Sequence, residues 1–218
     1  METLGRVPDL AYHRVRFTHD PRREVLWRSL CRYYFDHLVA PADCVLELGC
    51  GYGHFINNIK CGKKMAIDEY PEVLTYLAPG IVARIGKVTN LDFVPDRSVD
   101  FVFASNLFEH LNQADFATTL GEIKRTLNPR GTLNILQPNY RLAFKEYFDD
   151  YTHVSVYSDI SLCDFLSANG FQILERRPGF LPLTVKSRWP VSPVLIKLYL
   201  TSPVKPFAKQ MFIRAVVG

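Results

Sequence analysis

The chain has 218 residues, of which 48% are hydrophobic and 22% are charged, and its formal net charge is +4. This length suits a single domain, and this balance excludes a largely disordered chain. No run approaches the roughly 18 apolar residues of a membrane helix, and Met1 to His19 lack the apolar core of a signal peptide. We therefore expect a globular protein without a membrane span or a signal peptide.

Helical and strand patterns alternate along the chain, which is typical of a mostly parallel sheet. Asp20-Pro21 has the residues of a helix N-terminus, and apolar residues then recur at helical spacing up to Ala40. A second helix is predicted to begin at Pro71, and a third to run from its cap Ser158 to Asn169. The strands are predicted at 44–48, 65–67, 80–85, 100–104, 131–136, 171–174 and 211–217.

We interpret 1–218 as one domain, with an N-terminal helical segment at 1–40 and an irregular insertion or lid at 178–208 before the last strand. The five cysteines are scattered and form no Cys-x-x-Cys pair. Because such spacing is not typical of a disulfide framework or a zinc site, we expect reduced thiols, a cytoplasmic location and no metal.

The stretch V-L-E-L-G-C-G-Y-G from Val45 to Gly53 predicts a binding site, because a buried strand runs into a glycine-rich turn and then a helix. Glycine lets the backbone approach a ligand closely, and a helix N-terminus offers free N–H groups. Asp68 closes the second strand 21 residues after Glu47. An acid at that place commonly accepts hydrogen bonds from ribose hydroxyls, and Glu69 beside it could share the task.

The dinucleotide fingerprint G-x-G-x-x-G needs a third small residue where this chain has His54. The spacing E-x-G-x-G-x-G from Glu47 to Gly53 instead resembles motif I of the class I S-adenosylmethionine-dependent methyltransferases. The resemblance covers nearly the whole chain. The fourth strand of the family resembles residues 100–106, and the Glu-His-Leu stretch after it resembles residues 107–111. The turn before the family's fifth strand resembles residues 127–132. The resemblance implies a three-layer, Rossmann-like α/β domain with a mostly parallel seven-stranded sheet, helices on both faces, and S-adenosylmethionine as cofactor.

The same resemblance implies where the cofactor lies. The glycine-rich turn would surround its methionine end, Asp68 would hold the ribose, and Asn106 would lie near the amino group. After strand three the family usually has Gly-Asp, whereas this chain has Gly86-Lys87, so backbone groups would have to serve at the adenine. The expected cofactor-binding residues are Glu47, Gly49, Gly51, Gly53, Asp68, Glu69, Val88, Thr89 and Asn106.

Methyl transfer to a hydroxyl requires the loss of a proton, which a base with a pKa near neutrality assists. The catalytic candidates are His110 after the fourth strand and His153 after the fifth, with His54 as a weaker choice. Asp149 or Asp150 could orient the imidazole. Each histidine has an alternative interpretation as an ordinary packing or surface residue.

The stretches F-L-P-L-T-V-K-S-R at 180–188 and K-Q-M-F at 209–212 resemble a bacterial subgroup associated with saccharide and glycolipid assembly. This implies a small-molecule acceptor, in particular a hydroxyl of a sugar or sugar-containing metabolite. Two alternatives stay open. One is a non-catalytic cofactor-binding module, an alternative that remains because Lys87 stands where the family usually has an acid. The other is an NAD(P)-dependent oxidoreductase, which His54 and the lack of a Tyr-x-x-x-Lys pair disfavour.

From Arg176 to Gly218 the sequence has eight basic residues and no acidic ones, which leaves 18 basic and 22 acidic residues elsewhere. Ser192-Pro193 predicts a short helix to Leu200, with an apolar stripe of Val194, Leu195, Leu198 and Tyr199. The stripe would either pack on the domain as a cover of the acceptor pocket or rest on an anionic membrane. We expect the cover, because the stripe is short and leads into a strand. The aromatic residues do not form a stacking row, so we expect no nucleic-acid partner.

Overall fold

The computed structural model describes residues 20–183 and 191–218. Its strands are β1 (Cys44–Leu48), β2 (Lys63–Asp68), β3 (Val82–Ile85), β4 (Val99–Ser105), β5 (Leu127–Pro138), β6 (Phe171–Pro182) and β7 (Ala208–Val217). They form one sheet in the order β3-β2-β1-β4-β5-β7-β6. Strands β1 to β5 pair in parallel, whereas β7 runs antiparallel to both β5 and β6. The predicted mostly parallel, seven-stranded sheet is confirmed.

Helices cover both faces of the sheet, as predicted. They are α1 (Pro21–Tyr33), α2 (His54–Asn58), α3 (Gln113–Thr126), α4 (Tyr140–Ala143), α5 (Asp159–Ala168) and α6 (Pro193–Thr201). Buried side chains of α3 and α5 pack in one apolar core, and those of α1, α2 and α6 pack in a second core on the opposite face. The domain therefore has three layers.

The helix starts follow from local capping chemistry. The side chain of Asp20 accepts a hydrogen bond from the backbone N–H of Arg22, and Pro21 takes the first helical position of α1. Ser158 forms a reciprocal capping box with Ser161 at the start of α5. Both predicted starts are confirmed, whereas the helix predicted at Pro71 is only a short 3-10 helix, Pro71–Thr75.

The prediction of an irregular 178–208 segment is partly wrong. Strand β6 continues eight residues beyond the predicted end at Leu174 and reaches Pro182, and β7 begins at Ala208. The sequence hides this extension, because Glu175, Arg176 and Arg177 interrupt the apolar pattern. Pairing with β7, and not an apolar run, defines the second half of the strand.

The predicted short helix is confirmed as α6, with Ser192 as its N-cap. Its predicted packing stripe is wrong at Val194, Leu195 and Leu198, which are exposed, whereas Tyr199 packs against the second core as predicted. Ile196 is buried instead, and α6 contacts α1. The basic residues Lys186 and Arg188, which the sequence places beside this helix, lie outside the described residues, as does the predicted N-terminal segment up to His19.

The segment between β6 and β7 leaves from the sheet edge at which the parallel strands end. Pro138 at the end of β5 pairs with Gln210, and Pro182 at the end of β6 pairs with Ala208. Residues 183–207 therefore connect two strands at the edge that carries the glycine-rich turn.

All five cysteines are free, as expected. Within the described ranges, every helix is too short or too polar to cross a membrane.

Candidate active site

The glycine-rich turn after β1 needs glycine for its backbone geometry. Gly49, Gly51 and Gly53 have φ angles of +65°, +50° and +65°, a region that L side chains rarely adopt. A Cβ on Gly49 would stand 3.0 Å from Cδ1 of Leu107, and one on Gly53 would stand 2.6 Å from Cδ2 of Leu77. The turn is therefore a close-fitting cradle of backbone atoms.

Glu47 lies in β1 immediately before this turn and is only 4% exposed. Its Oε2 accepts a hydrogen bond of 3.0 Å from the backbone N–H of Ile56 in α2. Burial raises the pKa of Glu47 well above its usual range, and the nearby Asp68 adds to this effect. The carboxyl group thus joins the strand to the helix that follows the glycine-rich turn.

Asp68 ends β2 and reaches across to the same turn. Its Oδ2 accepts a hydrogen bond of 2.8 Å from the N–H of Gly51, and its Oδ1 accepts one of 2.9 Å from the N–H of Tyr70. A carboxylate offers about four lone-pair positions. Asp68 therefore retains the acceptor capacity that ribose hydroxyls require. Glu69, the other predicted ribose contact, is exposed beside it.

Asn106 follows β4 and has a φ angle of +49°, which is uncommon for a residue other than glycine. Its N–H donates to the carbonyl of Leu136 at 2.8 Å, and its Oδ1 accepts from Nε2 of Gln210 at 3.0 Å. Val88 and Thr89 lie in the loop after β3 and are buried and half-buried. The predicted cofactor residues thus lie at the ends of four adjacent strands or just after them, in the order β3, β2, β1 and β4.

These residues fit S-adenosylmethionine in their chemistry. Cβ atoms at Gly49 and Gly53 would crowd two leucine side chains, so the tight turn requires glycine there. A turn without side chains also lets a ligand approach its backbone. Asp68 binds the turn itself and Glu47 binds the helix after it. Carboxylates are the kind of acceptor that an ammonium group and ribose hydroxyls require. A crevice at the carboxyl ends of parallel strands is also where ligands bind in such sheets.

Two predicted catalytic residues, His110 and His153, come together although they are far apart in the chain. His110 ends the 3-10 helix Phe108–His110 after β4, and the centres of the two imidazole rings are 4.8 Å apart. The N–H groups of Val154 and Ser155 donate to the carbonyl of Glu109 at 2.9 and 3.1 Å. These backbone bonds fasten the segment after β5 to the segment after β4.

A short hydrogen-bonded chain orients His110. The hydroxyl of Thr152 donates to Oδ1 of Asp150 at 2.7 Å, so its oxygen acts as the acceptor for Nδ1 of His110 at 2.9 Å. Nδ1 then carries the proton, and the lone pair of the neutral ring lies on Nε2. Asp150, not Asp149, is the acid in this series of hydrogen bonds. Asp149 is exposed, and its side chain contacts neither imidazole within the described ranges.

Glu109 belongs to the same site, although the sequence analysis did not select it. Its side chain is completely buried, and burial raises its pKa to about 8. A carboxylate oxygen of Glu109 and one ring nitrogen each of His110 and His153 lie within 4.8 Å of one another. His54, the weaker base candidate, lies elsewhere in a pair with Glu24 of α1 at 3.3 Å.

Comparison with known proteins supports the same class. Residues 18–176, more than two thirds of the chain, match the family described as a methyltransferase domain. No curated protein matches the chain in sequence.

Solved structures share the fold at low sequence identity. A methyltransferase of Haloferax volcanii, in complex with the Trm112 methyltransferase activator, is 18% identical with a TM-score of 0.69, over 96% of this chain and 95% of that one. An S-adenosylmethionine-dependent methyltransferase from Archaeoglobus fulgidus is 19% identical with a TM-score of 0.65, over 96% and 100%. One from Thermotoga maritima is 19% identical with a TM-score of 0.67, over 95% and 94%.

The family match, the sheet order and the cradle formed by the glycine-rich turn with Glu47 and Asp68 agree with one another. The alternative of a nicotinamide-dependent oxidoreductase is not supported by this match. The chain belongs to the methyltransferase-domain family and is an S-adenosylmethionine-dependent methyltransferase.

Proposed function

We propose that this methyltransferase acts on a hydroxyl group of a small-molecule acceptor, a sugar or a sugar-containing metabolite. The observation that carries the proposal is the pairing of His110 and His153, with ring centres 4.8 Å apart, beyond the carboxyl ends of β4 and β5. The saccharide class rests on the resemblance of 180–188 and 209–212 to a subgroup associated with saccharide assembly. Part of the first stretch, 184–188, lies outside the described residues.

Bound S-adenosylmethionine supplies an activated methyl group on its sulfonium, and the chain has to bind and orient it. We assign the methionine end to Glu47 and the glycine-rich turn, and the ribose to Asp68 with Glu69. Val88 and Thr89 are proposed to contact the adenine through backbone groups. These assignments are supported by the position of all these residues at one sheet edge and by the acceptor capacity of the two acids.

Asn106 connects the cofactor side of the crevice to the acceptor side. Its φ of +49° and its bond to Gln210 of β7 hold its side chain at the junction of β4, β5 and β7. The Glu109-His110 pair follows three residues later. An acceptor held between Asn106 and the histidines would lie in front of the cofactor, which is the alignment that in-line transfer needs.

Proton loss is the second requirement of transfer to a hydroxyl. The acceptor oxygen forms a bond to the methyl carbon while the carbon–sulfur bond breaks, and S-adenosylhomocysteine leaves as a neutral thioether. The acceptor proton must leave as well, and we propose that the His110–His153 pair brings this about. The chain Asp150–Thr152–His110 supports this role, because it holds the His110 ring in one orientation.

The segment between β6 and β7 is proposed to cover the acceptor side of the crevice. It leaves and returns at the carboxyl edge, and Ile196 anchors α6 in the core that contains α1. The exposed Val194, Leu195 and Leu198 favour a second role for its outer surface, contact with an anionic lipid surface. The absence of acidic residues from Arg176 to Gly218 supports this choice of partner.

The test is the formation of S-adenosylhomocysteine with a panel of sugars, nucleotide sugars and amine controls. We expect turnover with a hydroxyl acceptor, and His153→Ala should lower it by about 10²–10⁴-fold while affinity for S-adenosylhomocysteine is kept. His37→Asn, a change at an exposed histidine, is the matched control. Transfer only to amines would contradict the hydroxyl acceptor, and full turnover by His153→Ala would contradict the role of the pair.

A further inference from the structure

Glu109 is a buried carboxyl group with an unusual environment. It is 0% exposed, and neither of its oxygens has a hydrogen-bond partner within the described residues. A buried carboxyl group normally pairs with a cation or hydrogen-bond donors, because desolvation without compensation is costly. The neighbouring Phe108 is buried in the first apolar core, but this packing does not explain why a carboxyl group is buried at the next position. Glu109 therefore has no side-chain hydrogen-bond partner in the part of the chain that the structure describes.

Two imidazole rings lie near this carboxyl group and form a possible metal-binding set with it. One oxygen of Glu109 and one ring nitrogen each of His110 and His153 lie within 4.8 Å of one another. Two imidazoles and one carboxylate are a common ligand set for divalent first-row transition ions. Three protein ligands leave further coordination positions open, as in catalytic rather than structural sites.

Surrounding contacts prepare the ligands for this role. Thr152 accepts from Nδ1 of His110, which directs the lone pair of the neutral ring to Nε2. Metal-binding histidines usually donate their other ring N–H to such an oxygen, which fixes the tautomer and the ring orientation. Tyr147 packs against the His153 ring at 4.7 Å between centres, and its hydroxyl donates to the carbonyl of Ser155. Both rings are thus held by neighbours.

We propose that Glu109, His110 and His153 bind a divalent transition ion, and that this ion binds the acceptor hydroxyl. The proposal rests on the proposed function, since it specifies how the histidine pair promotes proton loss. A hydroxyl bound to the ion has a lowered pKa, so its proton passes to water and the oxygen attacks the methyl group. Protein ligands lie about 2.0–2.2 Å from Zn²⁺, so binding has to draw the three side chains closer together by rotation.

Metal binding can be measured without any acceptor. The full chain is treated with a chelator and titrated with Zn²⁺ or Mn²⁺ in a calorimeter, and with Co²⁺ in a visible absorption experiment. We expect one equivalent of ion and a Co²⁺ absorption band typical of nitrogen and oxygen ligands. Glu109→Gln and His153→Asn should each weaken binding at least tenfold, whereas His37→Asn should bind as the wild type does. Each variant is first shown to be folded by its binding of S-adenosylhomocysteine.

The outcomes separate this inference from the function on which it rests. Absence of stoichiometric binding, or unchanged binding by folded Glu109→Gln, would overturn the metal site. Turnover of a hydroxyl acceptor that survives chelation would overturn it too, and would leave the proposed function in place. One equivalent of ion bound through Glu109 by a protein that methylates only amines would keep the site and remove the hydroxyl acceptor.

Discussion

Glu47 combines two properties that oppose each other in the folded protein without its cofactor. Its side chain is buried in the sheet, and burial raises its pKa. It also holds the first turn of α2 through the N–H of Ile56. The hydrogen bond favours the charged form, and desolvation, which is the larger effect, disfavours it. Stability should therefore depend on pH through this residue.

The sign of the effect follows from the direction of the shift. Below the unfolded-state pKa of about 4.3 both states are protonated, so burial costs least there. As pH rises above that value, the unfolded state ionises first and the free energy of unfolding decreases. We expect Glu47→Gln, which keeps an acceptor oxygen for Ile56, to reduce this decrease by about 1–3 kcal/mol between pH 5 and pH 8.

Urea unfolding at the two pH values measures this difference. Glu72→Gln, at an exposed position on the Pro71–Thr75 turn, serves as the control and should follow the wild type. Equal pH slopes for Glu47→Gln and the wild type would contradict the argument.

At the residue scale, the residues of local motifs could be predicted from the sequence, whereas one that depends on distant contacts could not. Gly49, Gly51 and Gly53 were predicted from spacing, and their positive φ angles give the physical reason. Glu109 belongs to the Glu-His-Leu stretch after β4, but nothing in the local sequence marks it as a site residue. It becomes a candidate only because residues 150–155 fold over it, about forty residues later. No local pattern signals such a contact.

At the scale of elements, α6 has a buried inner side and an exposed outer side. Ile196 is 9% exposed, whereas Leu198 is 60% exposed on the other side. We expect Ile196→Ala to lower the free energy of unfolding by about 2–4 kcal/mol, because it creates a cavity against α1. Leu198→Ser should change it by less than about 0.5 kcal/mol. Chemical denaturation of the two variants checks this contrast.

The outer side of α6 is tested by co-sedimentation with lipid vesicles. We expect binding to vesicles with anionic lipid that weakens with salt, since each basic residue near the surface adds about 1 kcal/mol. Leu195→Ser with Leu198→Ser should reduce binding and leave turnover of soluble acceptors unchanged. Equal recovery with neutral and anionic vesicles at low salt would contradict the membrane contact. The proposed role of the segment as a cover of the acceptor side of the crevice would remain.

The helix α6 also shows the limit of periodicity as a guide. Its start was predicted correctly, because it depends on the local residues Ser192 and Pro193, and its end at Thr201 lies one residue beyond the prediction. Its buried side was not predicted correctly, because every residue from Val194 to Leu200 except Lys197 is apolar or aromatic, and such a helix has no unique stripe. The position of α1 decides which side is buried. The extension of β6 could not be predicted either, because it also depends on a distant contact. Its partner strand β7 begins 26 residues after β6 ends.

For the whole molecule, cofactor binding should appear as added stability. S-adenosylhomocysteine at 100 times its Kd should stabilise the fold by about 2.7 kcal/mol, which raises Tm by roughly 5–10 °C for a chain of this size. NADH should give no increase, which separates this class from the oxidoreductases. Differential scanning calorimetry measures both.

Two variants tie this stabilisation to the glycine-rich turn. Gly51→Val places a side chain at a φ of +50°, so it should lower Tm and abolish the increase with S-adenosylhomocysteine. Asp68→Ala should reduce the increase, since a lost charge-assisted hydrogen bond costs about 1.5–3 kcal/mol. A full increase in both variants would contradict the assigned cofactor site.

The position of β7 in the sheet has a consequence for biosynthesis. In the order β5-β7-β6, strand β6 meets the rest of the sheet only through β7, which is made after it. While the ribosome is still synthesising β7, β6 has no strand to pair with, and the edge of β5 stays open. The nascent chain thus carries unpaired edges on both β5 and β6 until β7 emerges. Such edges are templates for aggregation, so chaperones should matter most before β7 is available for pairing.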